Sequence, residues 1–189
     1  MEGDQEQVWI RAAAQGDLQA YGQLVQLHQD MVFSLSLSLL RNRQDAEDLS
    51  QDVLVKAFRM LPQFKGLAPF KGWLYRITYH EGLNRLKKIN RQRSTLDLDD
   101  HAGDAATTTT NHLEEIEAAD KRRMIRLALD HLPPEDRVLV HAYYFEEMSI
   151  REICMITGMS ESNVKIKLYR SRKVMHEVLQ KTWVDEQAR

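Results

Sequence analysis

What this chain lacks narrows its chemistry first. Its single cysteine, Cys154, excludes an internal disulfide, and no metal-ligand or nucleophile pattern surrounds the thiol. The residue reads as a small buried side chain of a turn motif, in keeping with a reducing cytoplasm. The seven histidines are scattered without ligand spacing, and there is no P-loop, zinc-ligand cluster or nucleophile-base pairing. No enzyme activity, cofactor or metal is therefore expected. The N-terminal MEGDQEQ is acidic and lacks an apolar signal core. The longest apolar run, Met31 to Leu40, is interrupted by serines and too short for a bilayer, so no direct membrane insertion is expected. The four prolines fall at 62, 69, 133 and 134, each at a break between helical patterns.

What is present is a helical pattern and a segregated charge. With 189 residues, 43% of them hydrophobic, the chain suits one or two small domains. The net charge of −2 hides strong asymmetry: residues 76–93 hold six bases and one acid, whereas 94–120 hold eight acids and no base. Local fields rather than the sum would steer a polyanion.

The clearest motif runs from Ser149 to His176. Ser149 and Glu152 form a capping box for a short helix, with Ile150, Ile153 and Ile156 along one face. Gly158 suits the left-handed conformation that ends it, and Ser160 caps a second helix in which Val164 and Leu168 are four apart. This is a helix-turn-helix pattern. The second helix carries Lys165, Lys167, Arg170, Arg172 and Lys173 against one acid, Glu161, which suits a helix in a major groove with bases reaching phosphates. The plainer alternative is a helical hairpin with a solvated basic face.

Further upstream, Asp17 caps a predicted helix with Leu18, Tyr21, Leu24, Val25, Leu27, Met31 and Val32 at helical spacing. FSLSLSL at 33–39 alternates like a strand, yet no partner strand is evident, and the helical reading is preferred. After Arg41-Asn42-Arg43, a second helix places Asp45, Glu47, Asp48 and Asp52 in its first turns and ends at Pro62. Leu49, Val53, Ala57 and Leu61 should face inward, leaving Asp48, Gln51 and Asp52 at least partly outward for a partner.

A third helix is predicted over 70–93. It interleaves Trp73, Tyr75 and Tyr79, with Phe64 and Phe70 nearby, among Arg76, Arg85, Lys87, Lys88, Arg91 and Arg93. Flat apolar rings among bases suit unstacked single-stranded nucleotides, although Trp73 fits a core position equally well. Residues 94–112 lose all periodicity and read as an acidic flexible linker. Helical patterning returns with Leu113, Ile116, Met124, Ile125, Leu127 and Leu129. After Leu132-Pro133-Pro134 it resumes through Val138, Leu139, Ala142, Tyr143 and Phe145.

DAEDLSQDV, FKGWLYRI and the stretch from Leu132 to Met175 together resemble regions 2 and 4 of the extracytoplasmic-function group of bacterial RNA polymerase sigma factors. The resemblance implies an all-α fold of two small domains, 1–93 and 113–189, joined by the 94–112 linker. It implies a specificity factor that binds core RNA polymerase and promoter DNA under the control of an anti-sigma factor. Asp45, Glu47, Asp48, Leu49, Gln51 and Asp52 match the segment that grips the polymerase. Phe64, Phe70, Trp73, Arg76, Tyr79, His80, Asn84, Lys87, Lys88 and Arg91 match the part that holds the minus-10 element. Ser160, Glu161, Ser162, Asn163, Lys165, Lys167, Arg170, Arg172 and Lys173 match the reader of the minus-35 element. His80 and Asn84 depart from the Asn and Asp common in relatives, which puts the preferred bases in doubt. The linker resembles the connector that runs toward the RNA exit path. Its Asp97, Asp99, Asp100 and Asp104 fit either an RNA-like charge or a solvated tether. A stand-alone helix-turn-helix regulator is the alternative; it would use the C-terminal domain but would not need the acidic segment or the aromatic-basic helix.

Overall fold

The computed structural model describes residues 2–96 and 113–187, with side chains over 4–92 and 121–182. Among the described residues there are eight α-helices and no strand. They are α1 (Glu2–Ala14), α2 (Leu18–Leu40), α3 (Arg43–Met60), α4 (Phe70–Leu96), α5 (Leu113–Asp130), α6 (Pro134–Val140), α7 (Ile150–Thr157) and α8 (Glu161–Gln187). The helices form two compact units, α1–α4 and α5–α8. No described helix is long and apolar enough to cross a membrane. The greater part of the expected linker, 97–112, lies outside the described residues, and α4 runs three residues past its expected end at Arg93.

In the first unit α2 is the hub, packed by α1, α3 and α4. Asp17 caps it by accepting from the amides of Gln19 and Ala20. It runs unbroken through FSLSLSL because Val32, Leu35 and Leu39 continue one buried stripe with Leu24 and Met31. Leu18 and Leu27, expected in that stripe, fall off its edge and are exposed. Asn42 then caps α3 by accepting from the Asp45 amide at 3.0 Å. Leu49, Val53, Ala57 and Leu61 point inward as their four-residue spacing required. At Gly82, α4 lies so close to α2 that a β-carbon would run into Leu39 Cδ1.

Helix α1 was not evident in the sequence, since a polar MEGDQEQ precedes its few apolar residues. Among its described side chains it buries only Ile10 and Ala13, and it is tied to α2 by Glu6 Oε1 at 2.8 Å from His28 Nε2. His28 is buried in the middle of the α2 stripe with its ring 5.3 Å from that of Phe70.

Tyr21 joins α2 to α3 by donating to the Leu54 carbonyl at 2.5 Å, and its ring lies 4.8 Å from that of Phe58. Burial pushes its phenol from 10.0 up to about 12. The folded chain thus holds this proton more tightly than the unfolded chain. The associated stability is complete below pH 10 and is lost as pH rises toward 12. Tyr21→Phe should flatten that loss, by on the order of 1 kcal/mol given the partial exposure of the ring. Urea unfolding at pH 9 and pH 11 measures the difference.

In the second unit α8 packs on α5, α6 and α7. Pro134 opens α6, which buries Val138, Leu139 and Val140. The helix expected to continue through Phe145 instead widens into a π-helical turn, His141–Phe145, leaving Tyr143, Tyr144 and Phe145 exposed while Ala142 stays in the core. The Ser149/Glu152 capping box is formed in both directions, and Gly158 closes α7 at φ 74°. Ile153 and Ile156 of α7 and Val164, Leu168 and Ser171 of α8 are buried. Cys154 is half-buried rather than buried: Ile153 and Ile156 take the inward face, and the thiol falls at its edge.

Candidate nucleic-acid interface

Helix α4 resolves the mixture of aromatics and bases into two faces. Trp73, Arg76, His80, Asn84, Lys87 and Arg91 recur at intervals of three and four, so they share one stripe. Trp73 is half-buried and the other five are exposed, with exposed Lys88 on a flank. The opposite face belongs to the core. Tyr75 and Tyr79 are 0% and 4% exposed, and Phe70 is 2% exposed. Phe70 and Tyr79 therefore offer no free ring to a nucleotide, because the hydrophobic gain of burying them placed them inward. Of the aromatics expected to stack on bases, Phe64 and Trp73 remain.

These two rings form a platform, 5.1 Å apart and tilted by 48°. Phe70 supports both from below, at 5.8 Å from Phe64 and 5.5 Å from Trp73. Beside the platform the loop between the Leu61–Gln63 turn and α4 holds Leu67 out at 90% exposure, with Lys65 also exposed. An apolar side chain kept in water at a loop tip was not singled out from the sequence.

On α3, Gln51 and Asp52 are exposed and Asp45, Glu47 and Asp48 half-exposed, so the acidic first turns do face outward. Glu47 accepts from Arg43 Nε at 2.8 Å, and Asp48 accepts from Gln44 at 3.3 Å. Leu49 does not belong to this surface. At 3% exposure it secures α3 to the core, and its place in the resembled motif reflects packing.

Helix α8 begins with Ser160 accepting from the Asn163 amide at 3.3 Å. Ser162, Ile166, Tyr169 and Lys173 then form its outward stripe, with Lys165 and Arg172 on one flank and Arg170 on the other. Lys165 Nζ lies 3.3 Å from Glu161. Lys167 departs from the expected phosphate-reaching set. It is half-buried, 2.5 Å from Asp136 and 4.0 Å from Glu135, and so fastens α8 to α6. Ile166 and Tyr169 were missed because a search for charge passes over them. They are 49% and 64% exposed at the centre of the stripe, and apolar groups of this kind suit contact with a thymine methyl.

Comparison with known proteins fits this arrangement. Residues 24–113 match the family model for sigma-70 region 2, and residues 122–175 match that for sigma-70 region 4. The chain belongs to the sigma-70 family. Within it, this sigma factor is 27% identical over 185 residues to the RNA polymerase sigma-H factor of Pseudomonas aeruginosa, covering 94% of this chain and 95% of that one. It is 30% identical over 168 residues to the ECF RNA polymerase sigma factor SigE of Mycolicibacterium smegmatis, covering 88% of this chain and 64% of that protein. It shares its fold with the sigma factor RpoE of Bartonella quintana, solved in complex with the anti-sigma factor NepR. That match has a TM-score of 0.70 at 22% identity and covers 86% of this sigma factor and 98% of RpoE. The extracytoplasmic-function group expected from the motifs is the group printed in the name of the SigE relative.

Proposed function

We propose that this sigma factor docks on core RNA polymerase through the outward acids of α3 and grasps a promoter at two places. The stripe of α4, with the Phe64–Trp73 platform, holds the melted minus-10 strand. Helix α8 reads the minus-35 element as duplex. The observation that carries this reading is the single exposed stripe running from an aromatic platform into Arg76, Lys87 and Arg91. A protein that bound duplex alone would have no use for rings held beside a basic track. A stand-alone helix-turn-helix regulator needs neither that stripe nor the acidic row.

The work is binding, not covalent chemistry, and it takes place in the cytoplasm, where polymerase and promoter meet. The sigma factor is held in check by an anti-sigma factor that covers its binding surfaces; in support, the RpoE structure sharing this fold was captured with such a partner. The expected domain limits, 1–93 and 113–189, place each DNA-binding surface in its own module.

The test is transcription in vitro with core polymerase on a genomic library. The purified full chain, with no inhibitor present, should direct initiation from a discrete promoter set. Failure to associate with core polymerase overturns the proposal in favour of a stand-alone regulator.

A further inference from the structure

Arg85 belongs to neither stripe. It follows Asn84 by one residue and so lies about 100° round α4 from it, on the flank facing α3. Its guanidinium stands 3.7 Å from Asp45 Oδ1, 3.7 Å from Asp48 Oδ2 and 3.7 Å from Asp52 Oδ2. One cation thus serves three carboxylates on successive turns, at distances beyond hydrogen-bond length for each pair. The Arg85 side chain is 32% exposed against 36%, 48% and 73% for Asp45, Asp48 and Asp52, so it lies at the root of the row rather than over it. The α3–α4 register has its own fastening one turn earlier, where Lys56 Nζ meets Glu81 Oε1 at 2.6 Å.

We infer that Arg85 sets the strength with which the acidic row of α3 binds a basic partner surface. It acts as a built-in counter-charge that lowers the field of the row without covering it. This rests on the reading of that row as the polymerase-docking surface. Three carboxylates along one stripe attract a basic partner strongly, and a fixed cation among them removes part of that attraction. Arg85 positions no single carboxylate, so its contribution is carried by charge.

Salt dependence separates this from a structural role, because a lost packing contact does not change how steeply affinity falls with salt. Binding of the labelled full chain to core polymerase, without DNA, is followed by fluorescence anisotropy across a salt series. Arg85→Gln should tighten Kd roughly three- to tenfold at low salt and steepen its salt dependence. Arg85→Lys should stay near the wild type. Arg85→Met, which keeps the apolar stem, substitutes if the glutamine variant does not fold. Asp48→Asn serves as the control on the docking reading and should weaken binding. If Asp48→Asn weakens binding while the neutral Arg85 variants bind no more tightly and with an unchanged salt slope, the inference is overturned and the docking surface stands. If Asp48→Asn also has no effect, the docking surface itself is wrong.

Discussion

Trp73→Ala should lower the amount of opened promoter roughly ten- to a hundredfold while changing duplex affinity less than about threefold. Stacking of a base on an aromatic ring is worth about 1–3 kcal/mol, and it exists only once the base has left the duplex. The effect therefore falls on opening. Trp73 is the exposed-edge member of a three-ring cluster, 5.1 Å from Phe64 and 5.5 Å from the buried ring of Phe70. Removing it leaves Phe64 alone to face the strand. Permanganate reactivity of unpaired thymines in the holoenzyme–promoter complex reports opening, and a filter or gel assay with duplex reports closed binding. Trp73→Phe should restore most of the opening, because a smaller ring still stacks. Phe70→Ala should behave differently. At 2% exposure its loss creates a core cavity costing about 3–5 kcal/mol, so the first unit melts earlier and all binding declines together. Equal losses of opening and duplex affinity in Trp73→Ala would show that the indole serves packing alone.

The contrast between these two aromatics marks where sequence reasoning stopped. Helix periodicity was legible: the caps Asp17, Ser149 and Ser160, the inward run Leu49–Val53–Ala57–Leu61 and the turn at Gly158 follow from local rules whose outcome tertiary packing did not change. Assigning aromatics to a surface or a core was not, since Phe70, Trp73, Tyr75 and Tyr79 lie within ten residues and only the direction of α2 decides which rings it covers. The same limit applied to charge. Lys167 reads like Lys165 in a list of bases, but α6 places Asp136 beside one and not the other. Arg85 likewise counts as one more base of a basic helix until α3 brings three aspartates to it. Ile166 and Tyr169 could have been found by asking which positions of α8 oppose Val164 and Leu168, a question of helical angle that charge counting does not pose.

On α8 that angular order yields the second large effect. Arg170→Ala should weaken binding to minus-35 duplex about tenfold and reduce the slope of log affinity against log salt by about 0.9, the signature of one lost phosphate contact. The loss should be nearly uniform across sequences, because a flank cation meets the backbone rather than a base edge. Tyr169→Ala should do the reverse, leaving the slope unchanged while reducing discrimination between sequences by about 1–3 kcal/mol at the base pair it touches. Lys167→Ala supplies the internal control. Its partners are Asp136 and Glu135, so it should lower the melting temperature of the second unit and leave the salt slope unaltered. Competition binding with a randomised minus-35 duplex at several salt concentrations reads all three variants together. An Arg170→Ala slope equal to that of the wild type would remove α8 from the phosphate backbone, and with it the assignment of this helix to the major groove.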